Sequence, residues 1–209
     1  HKSVLGPCKK LADEGYEFAE IPVTSDGAVD IEAARDVIDE KTLLVSVQGA
    51  NNEIGTIQPI RQLAEIAHEK GALVHCDAAQ LLGKVPMRID DLGADYFTFS
   101  THKAYGPKGI GFLVIKMDGG SVSPSPVILG GGQENGLRPG TLNVPAIVGT
   151  GAACQLCRSC VEEDTSRILS LRKLLEESIA AIGCGIRVIA SGSQRLPGTA
   201  SILFPGLPA

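Results

Sequence analysis

Short apolar runs alternate with amphipathic helical patterns through the first half of this 209-residue chain. Four runs rich in aliphatic and aromatic residues predict strands, at 42–47, 72–76, 95–100 and 110–116. The run at 42–47 is nearly continuous, which is typical of a strand buried on both faces. Helices are predicted from the capping residue Asp30 to about Glu40, and from Pro59 to Gly71. The apolar stripe of the second helix is predicted at Ile60, Leu63, Ala64, Ile66 and Ala67. Strands and helices in this order predict an α/β fold with a mostly parallel mixed sheet and helices on both faces.

The pattern is weaker towards both ends of the chain. A short helix is predicted at 7–14, with Pro7 in its first turn, followed by a short strand from Tyr16 to Val23. A polar, proline-rich connector at 121–126 precedes a long helix. That helix, at about 144–182, is expected to be broken at least once, and a new strand begins at 186–190.

The composition and the hydrophobic pattern change after about residue 121, and this change predicts two domains. Residues 1–155 are expected to form a large domain, and residues 156–209 a linking helix with the beginning of a smaller α+β domain. The sequence starts at His1 and stops at Ala209 without a terminating signal. Both domains are therefore expected to be incomplete.

The charge balance argues against a nucleic-acid partner. The chain has 19 basic and 24 acidic side chains and a formal net charge of −5, whereas a protein that neutralises phosphates needs a basic face. No stretch approaches the roughly 20 uninterrupted apolar residues that span a bilayer, and no basic-then-apolar leader opens the sequence. We therefore expect a cytoplasmic protein, with an organelle as the alternative, and no membrane partner.

Three of the six cysteines form a Cys-x2-Cys-x2-Cys run, at Cys154, Cys157 and Cys160. The run begins like an iron–sulfur motif, but Asp164 stands where a fourth cysteine would be. Positions three apart share a helix face, so we interpret these residues as small apolar side chains packed together. A zinc or cluster site and reactive thiols are the alternatives. The scattered cysteines favour a reducing compartment over a disulfide framework.

Polar side chains follow three predicted strands at the point where each strand ends. In open α/β sheets, ligands bind beyond the carboxyl ends of the strands. An amide, a carboxylate, an imidazole and an amine are thus predicted to meet at one edge of the sheet. The residues concerned are Asn51, Asn52 and Glu53, then Asp77 and Gln80, then Thr101, His102 and Lys103.

This combination of groups is the one that pyridoxal phosphate needs. Its aldehyde needs an amine, such as Lys103, its ring nitrogen needs an anion, such as Asp77, and its phenolic oxygen needs a donor. A phosphate needs hydroxyls and backbone N–H groups, for which Ser100, Thr101 and the glycine-rich segment 130–141 are candidates.

Each group also has an ordinary alternative. Asp77 could cap the segment after its strand, Asn52 could occupy a left-handed turn, and Lys103 could be a solvated surface lysine. His75 and Asp77 share one strand face and could form a weak metal site. A nucleotide-binding domain has little support, because the glycine-rich run at 106–111 lacks the order of a phosphate loop.

Four segments carry a resemblance to a known family. They are Ala50-Asn-Asn-Glu-Ile-Gly55, His75-Cys-Asp-Ala-Ala-Gln80, Ser100-Thr-His-Lys-Ala-Tyr-Gly-Pro-Lys-Gly109 and Gly130-Gly-Gly-Gln-Glu-Asn-Gly-Leu-Arg-Pro-Gly-Thr141. In order and spacing they resemble the cysteine desulfurase and selenocysteine lyase family of class V aminotransferase-like enzymes. The resemblance implies the type I fold of aspartate aminotransferase, pyridoxal 5'-phosphate as cofactor, and a homodimer with a shared active site.

The resemblance also implies roles for individual residues. Lys103 would bind the cofactor covalently and then serve as general base, and Asp77 would pair with the pyridine nitrogen. Gln80 and Asn52 would contact the phenolic oxygen side of the ring. His1 would stack on the ring, and with Lys103 it makes up the implied catalytic pair.

The phosphate would be held by Ser100, by His102 and by Thr141 from the neighbouring subunit. The implied reaction removes sulfur from L-cysteine, leaving L-alanine and a persulfide for a sulfur-acceptor protein that supplies iron–sulfur clusters or thio-cofactors. A selenocysteine lyase that releases selenide is the alternative, as is a truncated relative without activity. The family's persulfide-forming cysteine lies beyond the segment that matches 197–204, and the cysteine run at 154–160 does not match its position.

Overall fold

A four-stranded sheet lies at the centre of the computed structural model. β1 (Leu44–Gln48), β2 (Leu73–Asp77) and β3 (Tyr96–Ser100) are parallel neighbours in that order, and β4 (Gly111–Ile115) pairs antiparallel with β3. The sheet is therefore mixed and mostly parallel, as predicted, and its four strands lie within two residues of the bounds expected for them. The structure describes residues 1–117, 123–183 and 185–207.

Two of the predicted helices pack beside the sheet. In α2 (Ile31–Val37), the Asp30 side chain caps the first turn, because its Oδ1 accepts the N–H groups of Glu32 and Ala33 at 3.0 and 3.1 Å. α3 (Ile60–Glu69) begins after Pro59, and α4 (Ile89–Leu92) is a single turn. The whole predicted apolar stripe of α3 is buried, at Ile60, Leu63, Ala64, Ile66 and Ala67.

The hydrophobic core lies against one face of this sheet. Alternate residues of the parallel strands enter it, at Val45, Val47, Val74, Cys76, Phe97 and Phe99. The intervening positions are less buried, and Leu44 of β1 is 52% exposed. The expectation that β1 is buried on both faces is therefore wrong. Its burial has the two-residue period of a strand with one covered face, and Ser46 and Gln48 occupy the other face.

The amino-terminal segment differs from its prediction in two ways. α1 spans Lys2–Asp13, so Pro7 lies inside the helix and not in its first turn. The helix starts early because the His1 side chain caps it, with Nδ1 accepting the N–H of Ser3 at 3.2 Å. The strand predicted from Tyr16 to Val23 does not form, since in the described residues only Val23 finds a ladder partner, through an isolated bridge with Val29.

The long helix α5 (Val144–Ala180) is continuous over 37 residues, so the expected break is absent. The Asn143 side chain caps it by accepting the N–H of Ala146 at 3.2 Å, and Pro145 lies in the first turn, where its missing N–H is harmless. α5 passes without interruption through the predicted domain boundary at residues 155 and 156. The division into domains stays a prediction.

By length and composition alone, α5 also qualifies as a membrane span. Of the 18 residues in its most apolar stretch, 11% are buried. Core helices of globular proteins meet the same criteria, and the second half of α5 carries Glu162, Glu163, Asp164 and Arg167. One helix of this kind is weak evidence for a membrane span.

The segment that follows α5 returns to the loop after β1. The predicted strand at 186–190 is reduced to β5 (Arg187–Val188), which pairs with β6 (Ile202–Leu203). Arg195 forms an isolated antiparallel bridge with Thr56. Its guanidinium makes a two-pronged ion pair with Glu176 of α5, at 2.8 and 3.0 Å. Residues 121 and 122 of the predicted connector lie outside the described residues.

Gly49 allows the segment after β1 to lie close to β2. Its N–H donates to the carbonyl of Asp77 at 2.8 Å, and a Cβ at position 49 would lie 2.6 Å from Leu81 Cδ1 and 3.1 Å from Cys76 Sγ. We expect Gly49→Ala to lower the free energy of unfolding by about 1–3 kcal/mol, because buried side chains must shift. Urea denaturation followed by circular dichroism measures this loss.

Gly151→Ala is the matched control for that substitution. It adds the same methyl group within α5, where nothing lies within 4 Å of the new Cβ. We expect stability to stay unchanged or to rise by up to about 1 kcal/mol, since alanine favours the helix. Equal losses in the two variants would show that close packing at Gly49 is not the cause.

Candidate active site

Three parallel strands end at the same edge of the sheet. Asp77 is the last residue of β2, and it is in register with Gln48, the last residue of β1, and with Thr98 of β3. Ser100 ends β3 and leads directly into a 3₁₀ helix, Thr101–Ala104. The topology therefore brings residues that follow three separated stretches of sequence to one edge of the sheet.

Asp77 is a carboxylate that is only 8% exposed. Its Oδ1 accepts the N–H of Ala79 at 3.1 Å, which is the capping contact that the ordinary alternative expects. A carboxylate has room for about four donors, and burial makes unused acceptor capacity costly. Asp77 can therefore cap the segment that follows and still accept a further cationic donor at the edge of the sheet.

Lys103 lies half-buried on the 3₁₀ helix, one strand away from Asp77. The helix ends at Tyr105, which has a left-handed φ of 61°, and the N–H of Gly106 returns to the carbonyl of Thr101 at 3.1 Å. A Cβ at position 106 would overlap Thr101 Cγ2 and would lie 3.2 Å from the Cβ of Ala153 on α5. The glycine thus lets α5 pack directly against the turn that carries Lys103.

Thr101 cannot serve the phosphate, contrary to the expectation. Its side chain is fully buried, and its hydroxyl accepts that of Thr150 on α5 at 3.4 Å. Thr101 is the first residue of the 3₁₀ helix, and α5 packs against this helix. The Thr101 side chain therefore faces α5. Ser100, at the end of β3, is half-buried.

Two further residues of this edge escape the sequence analysis. Lys84 Nζ donates to Oε1 of Gln80, which is 9% exposed. Burial lowers the pKa of Lys84, and the nearby charge of Lys103 lowers it further. Gln48 Nε2 donates to Oδ1 of Asn52 at 3.3 Å. The spacing of four residues between Gln80 and Lys84 is the signal that could have found the lysine.

Other predicted site residues are not joined to this group by the hydrogen bonds of the described residues. His1 bonds with Ser3 at the start of α1. His102 and Thr141 are exposed. Asn51 has a local structural role, since its Oδ1 accepts the N–H groups of Glu53 and Ile54 at 2.8 and 3.0 Å.

His75 is held by hydroxyl groups on both sides and does not form a metal site with Asp77. Its Nδ1 lies 2.7 Å from Ser46 Oγ of β1, and its Nε2 lies 3.0 Å from Thr98 Oγ1 of β3. Both ring nitrogens are thus occupied. Across the described ranges, no group of three or more histidine, cysteine or acidic side chains is placed to hold a metal ion.

The burial of His75 makes stability depend on pH. Burial lowers the pKa of His75 below its ordinary value of 6.5, although the charge of Asp77 opposes the shift. The unfolded chain therefore binds this proton more readily, and stability present above about pH 6.5 is lost as the pH falls. We expect His75→Gln to flatten the pH dependence of urea midpoints between pH 7 and pH 5. Identical slopes in the two proteins would contradict a neutral, buried His75.

The described cysteines are free thiols, and two of them are held in the protonated form. Burial raises the pKa of Cys76 to about 12, with a smaller contribution from Asp77, so this thiol is not a nucleophile. Burial also raises the pKa of Cys157, whose Sγ donates to the carbonyl of Ala104 at 3.9 Å. Cys160 is exposed, so the interpretation of three residues packed together does not extend to it.

Comparison with known proteins identifies the family. All 209 residues match the family described as aminotransferase class-V. The chain belongs to this family. Its sequence is 42% identical over 204 residues to cysteine desulfurase IscS 1 of Archaeoglobus fulgidus, covering 98% of this chain and 52% of the relative. It is 39% identical over 206 residues to a mitosomal cysteine desulfurase of Encephalitozoon cuniculi, covering 98% and 47%.

The fold of this class V aminotransferase chain is also that of a solved relative. A structure described as a NifS-like protein superposes with a TM-score of 0.91 at 40% identity, covering 99% of this chain and 56% of that one. The family resemblance and the predicted fold class, a type I pyridoxal-phosphate fold, are thereby confirmed. The chain spans about half the length of the curated relatives that it matches.

Proposed function

We propose that this chain holds pyridoxal phosphate where β2 and β3 end, and that the protein removes sulfur from L-cysteine to leave L-alanine. One observation carries the proposal. A nearly buried carboxylate with spare acceptor capacity, Asp77, lies one strand from Lys103, in a chain about 40% identical to proteins named cysteine desulfurases. When bound, the cofactor supplies an electron sink for bond breaking at the substrate's α-carbon.

Asp77 and Lys103 have the two central roles in the proposed site. The Asp77 carboxylate would hold a proton on the ring nitrogen, and its burial strengthens that attraction because little water screens it. Lys103 would bind the aldehyde carbon and, once substrate has displaced it, move the proton at the α-carbon as general base. Its half-buried place on a short, packed turn limits how far the amine can move.

The remaining residues complete the proposed site. Gln80 and Asn52 would contact the phenolic oxygen, His1 would stack on the ring, and Ser100 and His102 would hold the phosphate. Thr141 of a second copy would reach the phosphate in a homodimer. Strongly exposed apolar side chains support such a dimer, namely Tyr105, Val127 and Leu129, which are 93%, 97% and 85% exposed.

Product analysis tests the proposal directly. The whole protein, loaded with pyridoxal phosphate and supplied with L-cysteine and a thiol reductant, is expected to release alanine and sulfide in equal amounts. L-selenocysteine, assayed in parallel, shows which of the two substrates is preferred. A folded, cofactor-loaded protein that releases pyruvate, or that transfers the amino group to a keto acid, would assign it a different reaction.

A further inference from the structure

We propose that Lys84 is a positioning residue of this site, which orients the side-chain amide of Gln80 and places a second positive charge beside Lys103. The inference rests on the proposed function, because it concerns how the chain meets the cofactor's phenolic oxygen. Lys84 was not among the residues that the sequence patterns or the family resemblance indicated. It is a half-buried cation four residues after Gln80.

The hydrogen bond between the two side chains can have only one sense. A lysine ammonium has three donors and no acceptor, whereas an amide has an acceptor oxygen and a donor NH₂ group. Lys84 Nζ therefore bonds to Oε1 of Gln80. Gln80 is only 9% exposed, so if its side-chain amide flipped, water could not readily replace the hydrogen bonds that the amide loses. The NH₂ group is left for another acceptor, and a phenolic oxygen is such an acceptor.

The backbone of Lys84 is itself held from two directions. Its N–H donates to the carbonyl of Leu81 at 3.1 Å, and its carbonyl accepts the hydroxyl of Thr165 on α5 at 3.3 Å. A surface lysine samples many rotamers, but this one is half-buried and its backbone is fixed by both hydrogen bonds. Its ammonium group is therefore held close to Gln80.

The charge of Lys84 gives the proposal a second consequence. Gly83 and Ala104, the sequence neighbours of Lys84 and Lys103, lie side by side, since a Cβ at position 83 would lie 3.8 Å from the Cβ of Ala104. In keeping with this placement, burial lowers the pKa of Lys84 and the charge of Lys103 lowers it further. A cation at position 84 opposes a second positive charge on the nitrogen of Lys103. Removing it should therefore favour the protonated form of the lysine–cofactor linkage.

The test is a pH titration of the visible absorbance of the cofactor-loaded protein, which does not depend on turnover. We expect Lys84→Met to raise the midpoint of the spectral change by about one pH unit and to weaken retention of the cofactor during dialysis. Lys84→Arg keeps the charge and the donors, so it is expected to titrate like the wild type. Lys173→Met, at an exposed lysine on α5, should also leave the midpoint unchanged.

Two outcomes separate this inference from the proposed function. A wild-type midpoint retained in both Lys84→Met and Lys84→Gln would overturn the role of Lys84 and leave the proposed function intact. The absence of any lysine-linked band in the folded wild type would overturn the proposed function and the role of Lys84 with it. Lys84→Gln, which is one bond shorter and uncharged, also supplies the measurement if the methionine variant does not fold.

Discussion

Lys103→Ala is expected to abolish covalent retention of pyridoxal phosphate and to slow alanine release by about 10³–10⁴-fold. The variant loses both the amine that binds the aldehyde and the general base that moves the α-proton. After borohydride reduction and denaturation, intact mass should show a cofactor adduct on the wild type and none on the variant. Peptide mapping should place the adduct on Lys103.

The exposed lysine five residues further on provides the control for this experiment. Lys108 lies after the same turn, on the surface, so Lys108→Ala removes an equal charge from the neighbourhood and should keep the adduct. An adduct that persists in Lys103→Ala and disappears in Lys108→Ala would assign the covalent role to Lys108 and contradict our proposal.

Asp77→Asn is expected to slow alanine release by about 10²–10³-fold while leaving the melting temperature nearly unchanged. The amide fits the same space and can still accept the N–H of Ala79, but it cannot stabilise a proton on the ring nitrogen. Steady-state kinetics and differential scanning calorimetry measure the two effects. The substitution therefore separates the proposed role of Asp77 from a purely capping role.

An acidic residue on the surface completes this comparison. Asp36 lies exposed on α2, and Asp36→Asn removes the same charge far from the end of β2. We expect it to retain wild-type turnover. If Asp77→Asn is as active as Asp36→Asn, Asp77 is only a cap, and the proposed cofactor site loses its anchor.

The sheet could be predicted from sequence because its signals are local. Aliphatic runs such as 42–47 form strands, and the rule that ligands gather beyond strand ends then places Asp77 and Lys103 at one edge without knowledge of any contact. The apolar stripe of α3 could be predicted for a similar reason, because its 3.6-residue period lies within a single helix. These features depend on residues close together in the chain.

Features that depend on packing against distant residues were not predictable in this way. Thr101 is a hydroxyl at a strand end, and only its contact with Thr150 shows that it faces α5. Tyr16 to Val23 has the composition of a strand but lacks neighbours to complete a ladder in the described part of the chain. Lys84 is an unremarkable lysine until the fold brings Gln80 and Lys103 beside it. The roles of His1, His102 and Thr141 stay predictions.

The bridge between Thr56 and Arg195 has a consequence for how the protein is made. The loop that carries Asn52 is completed by residues that follow about 140 positions later in the chain. At synthesis rates of roughly 5–20 residues per second, the loop waits about 7–28 seconds for its partner to emerge from the ribosome. Such a long sequence separation also slows folding of the finished chain. The strands of the sheet can pair earlier in synthesis, whereas the loop beside the cofactor edge acquires its final shape only after Arg195 has emerged.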